Sequence, residues 1–237
     1  QLDNKIYGIA NNVELINDIK QKIDEKKIYL TIHGIHHRNE DDKLPELKNN
    51  YSIGAEFYTN RDLTKELKNA VEHLENIFDQ KITIFTPPQN IYNLKGLEAI
   101  INNKLSMCAY LPSIKVLINT VNLRGPINYL KYFKFKIVNR GTRTPYPYVI
   151  NSTRLKIIDH RSLQPRTNIE ELYSDFESVY KQGGNFVLST HSYGFNHKMK
   201  DIDKTMGIII KEFLQHVQKK DNVNFVTLDN IINGGQE

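Results

Sequence analysis

Short runs of β-branched and aliphatic residues alternate with longer stretches in which apolar side chains return every three or four positions. This alternation predicts strands joined by crossover helices, the pattern of a parallel sheet. The strand-like runs are residues 5–10 (KIYGIA), 28–33 (IYLTIH), 81–86 (KITIFT), 155–160 (LKIIDH), 185–191 (NFVLSTH) and 223–228 (VNFVTL), with 106–111 and 133–138 as weaker candidates. Helical stripes run through Val13, Ile16, Ile19 and Ile23, and through Leu63, Leu67, Val71, Leu74 and Phe78. Leu94, Leu97 and Ile101 form a shorter one, Ile169, Leu172, Phe176 and Val179 a fourth, and Ile202, Met206, Ile209, Phe213 and Val217 a last. These stripes are core faces. Asn12, and Thr167 or Asn168, stand where N-caps belong. Residues 113–153 break the alternation with prolines and aromatics, and read as an excursion that helps to wall a pocket, or as an oligomer contact.

Composition narrows the class. A chain of 237 residues with 39% hydrophobic content can bury one sizeable core, so a single domain over 1–237 is expected. No apolar run approaches the roughly 20 residues of a membrane-spanning helix. The lone Cys108 excludes an internal disulfide, so a metal site must use histidines and carboxylates. The net charge of +5 reads as a surface property. The lysines look dispersed and alternate with acids, without the basic, aromatic-interleaved run of a nucleic-acid binder.

Polar residues fall where chemistry gathers in parallel α/β folds, at the C-terminal ends of strands. Asn11 and Asn12 follow the first run, His33 ends the second, and Pro87, Pro88 and Gln89 follow the third. Asp159 with His160, and His191, close two later runs. In HGIHH, His33 and His37 are four residues apart, a spacing at which two imidazoles converge if the chain turns after the strand, and Gly34 permits such a turn. Alone, the pattern reads first as two histidines making ordinary hydrogen bonds or facing solvent.

Taken together, IYLTIHGIHH, GAEF, IFTPPQNIYN and FVLSTHSYGF follow the motif order of the polysaccharide deacetylase superfamily, and the chain resembles that family over nearly its whole length. The resemblance implies a distorted (β/α) barrel of about seven parallel strands, NodB-like, and an activity removing N-acetyl or O-acetyl groups from a saccharide or glycan precursor. It implies His33 and His37 as ligands of a divalent metal, zinc first with cobalt or nickel as alternatives. Leu188 would border the acetyl methyl, and His191 would act as general acid. Gly34 stands where the family often has Ser or Thr, Thr86 where it has Arg, and Gln89 where it has Tyr.

The family's first motif, a strand ending in two aspartates that supply the base and the third metal ligand, does not match any segment of this sequence. Three expectations follow: the motif lies upstream of Gln1, or Asp159 or Glu56 takes its place, or catalysis is lost and a carbohydrate-binding relic remains. Asp41 and Asp42 read as a solvated loop cluster. His160 is either a pocket residue or a buried structural histidine. Arg143 either recognises an acidic sugar or pairs with a surface acid, and Tyr193 either stacks on a sugar ring or packs. An acetylated saccharide is the expected partner, with no nucleic acid, and the compartment stays open between cytoplasmic and exported.

Overall fold

The computed structural model describes residues 9–38, 54–121 and 126–234. Asp41 and Asp42 lie outside these residues, as do positions 5–8 of the first strand-like run. The chain forms two compact units, one from 1–107 with 227–237 and the other from 108–226.

In the first unit, α1 (Val13–Asp24) starts at Asn12, whose side chain accepts from the Leu15 amide at 3.0 Å, as its sequence position predicts. Helix α2 (Thr64–Phe78) buries Leu67 and Phe78. Helix α3 (Leu94–Asn102) is capped by Asn93 and buries Leu97, Ile100 and Ile101. Strand β1 (Ile84–Phe85) pairs in parallel with β2 (Ser106–Cys108). Residues 28–33 run beside β1 without a full ladder: Ile32 bridges Phe85, its amide donates to Ile84 at 3.1 Å, and its carbonyl accepts from the Thr86 amide at 2.9 Å. That bridge sets His33 beside Thr86. The core is Ile32, Phe57, Leu67, Ile84, Phe85, Leu97, Ile100 and Met107.

In the second unit, α4 (Ile114–Val116) continues into a π-helical turn over Leu117–Val121. Helix α5 (Pro126–Val138) follows, then a hairpin of β3 (Ile150–Asn151) and β4 (Lys156–Ile158), and β5 (Arg161–Ser162). Helix α6 (Ile169–Lys181) begins at Asn168, which caps the Glu171 amide. Strand β6 (Leu188–Ser189) pairs in parallel with β5, and α7 (Met206–Gln218) completes the unit. Leu163, Leu172, Phe176, Met206, Ile209 and Phe213 form its core, so α6 and α7 supply core faces as expected, but Ile202 lies before α7 and is exposed; in the first unit the α1 stripe buries no residue and Val13 is exposed. Helix α8 (Leu228–Asn233) returns to the first unit.

The architecture is mixed α/β with parallel strand pairs. Six short strands occur among the described residues, where the sequence leads one to expect about seven. The β3–β4 pair is antiparallel, because a four-residue connection can only reverse the chain. Residues 133–138, a weak strand candidate from the alternation of FKFKIV, are helical. Tyr132 and Phe135, three residues apart, fall on one helical face and are buried, so tertiary packing overrides the period of two. Residues 223–228 form no strand: Phe225 and Val226 are exposed, and Leu228 opens α8. Ile9–Asn11 is a turn of 3-10 helix rather than the end of a first strand.

Candidate functional site

The HGIHH segment follows the Ile32 bridge and turns at once. Gly34 has φ +86°, and a Cβ there would meet a Glu56 carboxylate oxygen at 2.3 Å and Pro88 Cγ at 2.6 Å. Only glycine satisfies both the left-handed backbone and the close approach. The Glu56 side chain is buried and accepts from three successive amides: Ile35 at 2.9 Å, His36 at 2.7 Å and His37 at 3.1 Å. A carboxylate in such a backbone nest fixes the loop through charge-assisted bonds. His37 is held at φ +66°, an uncommon conformation for a residue with a side chain.

The result is that both imidazoles are exposed with ring centres 5.2 Å apart in an edge-to-face arrangement. His33 Nδ1 lies 2.9 Å from the Thr86 carbonyl oxygen. A carbonyl only accepts, so Nδ1 carries the proton and the lone pair sits on Nε2. This is the outer hydrogen bond that orients metal-binding histidines. Two imidazoles bound to one tetrahedral ion, each nitrogen about 2.0 to 2.1 Å from it, place their ring centres roughly 5 Å apart. The observed ring-centre separation equals that spacing. No group of three His, Cys, Asp or Glu side chains arranged for a metal occurs among the described residues. Glu56, one of the carboxylates expected to stand in as a ligand, instead has both oxygens engaged by the loop amides. Pro88 is buried against Gly34, and Gln89 is exposed at φ +57° in the turn that follows β1.

No family model matches the chain, and no curated protein matches it. Among solved structures, it is similar to that of a "putative polysaccharide deacetylase from Mycobacterium smegmatis", at 12% identity and a TM-score of 0.46 over 72% of this chain. The match spans 55% of that protein's length.

The remaining site candidates lie in the second unit. Asp159, at the end of β4, is buried and accepts from the Tyr146 amide at 2.9 Å and the His160 amide at 2.8 Å. His160 is buried as well, with Nδ1 2.7 Å from Ser189 Oγ and its ring stacked on Tyr110 at 4.7 Å. Leu188 is half-buried in β6. His191 is exposed, and its ring stacks at 5.0 Å on that of Tyr193, which is exposed as well. Arg143 is exposed. Within the 113–153 excursion, Asn128, Lys131, Tyr132, Tyr146, Tyr148 and Asn151 wall a cavity of about 210 Å³.

Burial drives the ionisation of the Asp159–His160 pair in opposite directions. It pushes the Asp159 carboxyl up from 3.8 to about 6, against the two amides that favour the charged form, and pushes His160 down from 6.5 to about 4. Each displacement is worth roughly 3 kcal/mol at 1.36 kcal/mol per pH unit. For Asp159 the folded state holds the proton more tightly, so stability falls as pH rises from 3.8 to about 6. For His160 the unfolded state holds it more tightly, so stability falls as pH drops from 6.5 to about 4. The two largely offset one another between pH 4 and 6. Asp159→Asn should unmask the histidine and give a protein that loses roughly 3 kcal/mol on acidification through this window. Urea midpoints at pH 4, 5, 6 and 7 measure it, and a variant profile as flat as the parent's would refute the assignment.

Residues that the sequence reading passed over do much of the positioning. Thr86 acts through its carbonyl, which no side-chain motif reveals. Ser189, inside LSTH, holds His160. Arg161 and Asp175 form a buried ion pair, and the signal for it was available: Asp175 lies three residues after Leu172, on the apolar stripe of α6.

Proposed function

We propose that HGIHH is a binding site for a divalent cation, zinc first, and that the protein is a metal-dependent hydrolase removing acetyl groups from a saccharide. The observation that supports this is the His33–His37 pair, with the His33 tautomer set by Thr86 and the loop held by Glu56. A bound cation of this kind supplies Lewis acidity toward an acyl carbonyl and toward water. His33 and His37 hold it through their ring nitrogens, and Thr86 keeps the His33 lone pair on Nε2. Gln89, exposed on the turn after β1, is the substrate contact of this unit, and Pro88, buried against Gly34, backs it. For the second unit the proposal rests on the family resemblance and on chemistry. Leu188 offers an apolar surface for a methyl group, and His191 is an exposed imidazole placed in the role of general acid to a leaving amine.

The engagement of both Glu56 oxygens by backbone amides favours a second reading, a carbohydrate-binding module without catalysis. Equilibrium dialysis against zinc, cobalt and nickel, paired with acetate release from N-acetylglucosamine oligomers, separates the two. The hydrolase reading expects one ion per chain and acetate release. Alanine at His33 or His37 should cost more affinity than the roughly 10- to 100-fold of a lost outer partner. Oligomer binding without ion retention or acetate release would establish the module instead.

A further inference from the structure

Helix α5 is apolar on two opposite sides. At about 100° per residue, Tyr132 and Phe135 share the side that faces the unit's interior, where both rings meet Tyr146 edge-on. On the far side Ile127, Leu130, Phe133, Ile137 and Val138 recur at short helical steps and are 66, 68, 52, 59 and 71% exposed. A helix apolar all round belongs inside a protein or against a second apolar phase, and a continuous exposed patch of this kind marks an interaction surface.

Charge says what that phase is. Between Glu98 and Asp159 the sequence has ten Lys and Arg and no Asp or Glu, while the rest of the chain carries 22 against 27. The expected alternation of lysines with acids therefore fails in this block, and the net charge of the whole chain conceals it. Lys131 and Lys134 are exposed on α5, Lys136 sets its ammonium over the Tyr132 ring, and Arg140 and Arg143 follow, exposed, just beyond the helix. Their long stems let the charged ends rise to a polar boundary while the apolar side chains stay below it.

We propose that the outer face of α5 docks this protein onto an anionic phospholipid bilayer. The helix lies in the plane of the interface, with Leu130 and Phe133 at the acyl boundary and the lysines among the headgroups. Self-association through the same face would bring two acid-free cationic surfaces together, which is electrostatically unfavourable. A polyanion without an apolar phase would leave the five hydrophobic side chains in water. This reading is independent of the hydrolase proposal.

Flotation of the full chain with vesicles tests it. Partition onto phosphatidylcholine containing about 30% phosphatidylserine should exceed that onto pure phosphatidylcholine by about tenfold or more, and should fall as salt is raised. Leu130→Ser with Phe133→Ser, and separately Lys131→Glu with Lys134→Glu, should each lower it about tenfold or more, since one lysine near such a surface is worth about fivefold. Both pairs are exposed, so unfolding midpoints should hold; if the serine variant fails to fold, the lysine variant decides. Equal partition onto both vesicles, or unchanged partition in a folded variant, would overturn the proposal. So would sedimentation showing a stable dimer that the serine variant dissolves.

Discussion

Alanine at Asp175 should destabilise the protein by about 3 to 5 kcal/mol, the cost of breaking a buried ion pair by removing one partner. Arg161 and Asp175 are 2% and 5% exposed, with Arg161 Nε donating to Asp175 Oδ2 at 2.6 Å. Thr144 donates to the other carboxylate oxygen at 2.5 Å, so the Asp175 carboxylate holds both β5 and the segment before β3. Truncation leaves a desolvated guanidinium whose only described bonds are to the Ser162 carbonyl at 3.3 Å and the distant, exposed Glu171. Replacing both partners, Arg161→Met with Asp175→Leu, should recover most of the loss, because apolar isosteres carry no uncompensated charge. Urea unfolding of the two variants measures this. A loss under 1 kcal/mol in Asp175→Ala would show that water reaches the guanidinium after all.

The second large effect is expected at Glu56. Its carboxylate is the acceptor for the Ile35, His36 and His37 amides, and Glu56→Ala strands three donors at once. Each unsatisfied buried donor costs about 1 to 3 kcal/mol, and since His36 and His37 are exposed, water will restore part of it, leaving a net loss of about 2 to 4 kcal/mol. Glu56→Gln should fall between, since its amide keeps one acceptor oxygen but turns a donor toward other donors. The functional consequence is sharper than the stability one. Without the nest, the left-handed His37 relaxes and the imidazoles lose their mutual placement, so cation affinity should fall by about 10- to 100-fold while both histidines remain. Zinc dialysis of Glu56→Ala at a temperature where it is folded checks this, and parental affinity would mean that the histidines organise themselves.

Much of the scaffold is legible in the sequence. The helices appear wherever an apolar stripe at three- and four-residue steps follows a capping side chain, as at Asn12 and Asn168. The strands are less so, because runs such as 28–33 and 223–228 have the composition of strands while their pairing depends on distant partners. Residues 133–138 show the opposite failure, a period of two overruled by where Tyr132 and Phe135 find a core. In the site, HGIHH and the need for Gly34 are visible in one line of sequence. Glu56 is visible as a carboxylate near the motifs, but its use is not: expected as a stand-in metal ligand, it serves the backbone, and backbone amides have no residue identity to read. Arg161 and Asp175 are fourteen positions apart, so only the intrusion of an acid into an apolar stripe hints at their pairing.

The contact between position 34 and its neighbours makes three sites interdependent. Any β-carbon at 34 collides with the acid at 56 and the proline ring at 88, so a hydroxylated residue cannot be introduced there by itself. Redesign of this loop has to change positions 34, 56 and 88 as one set.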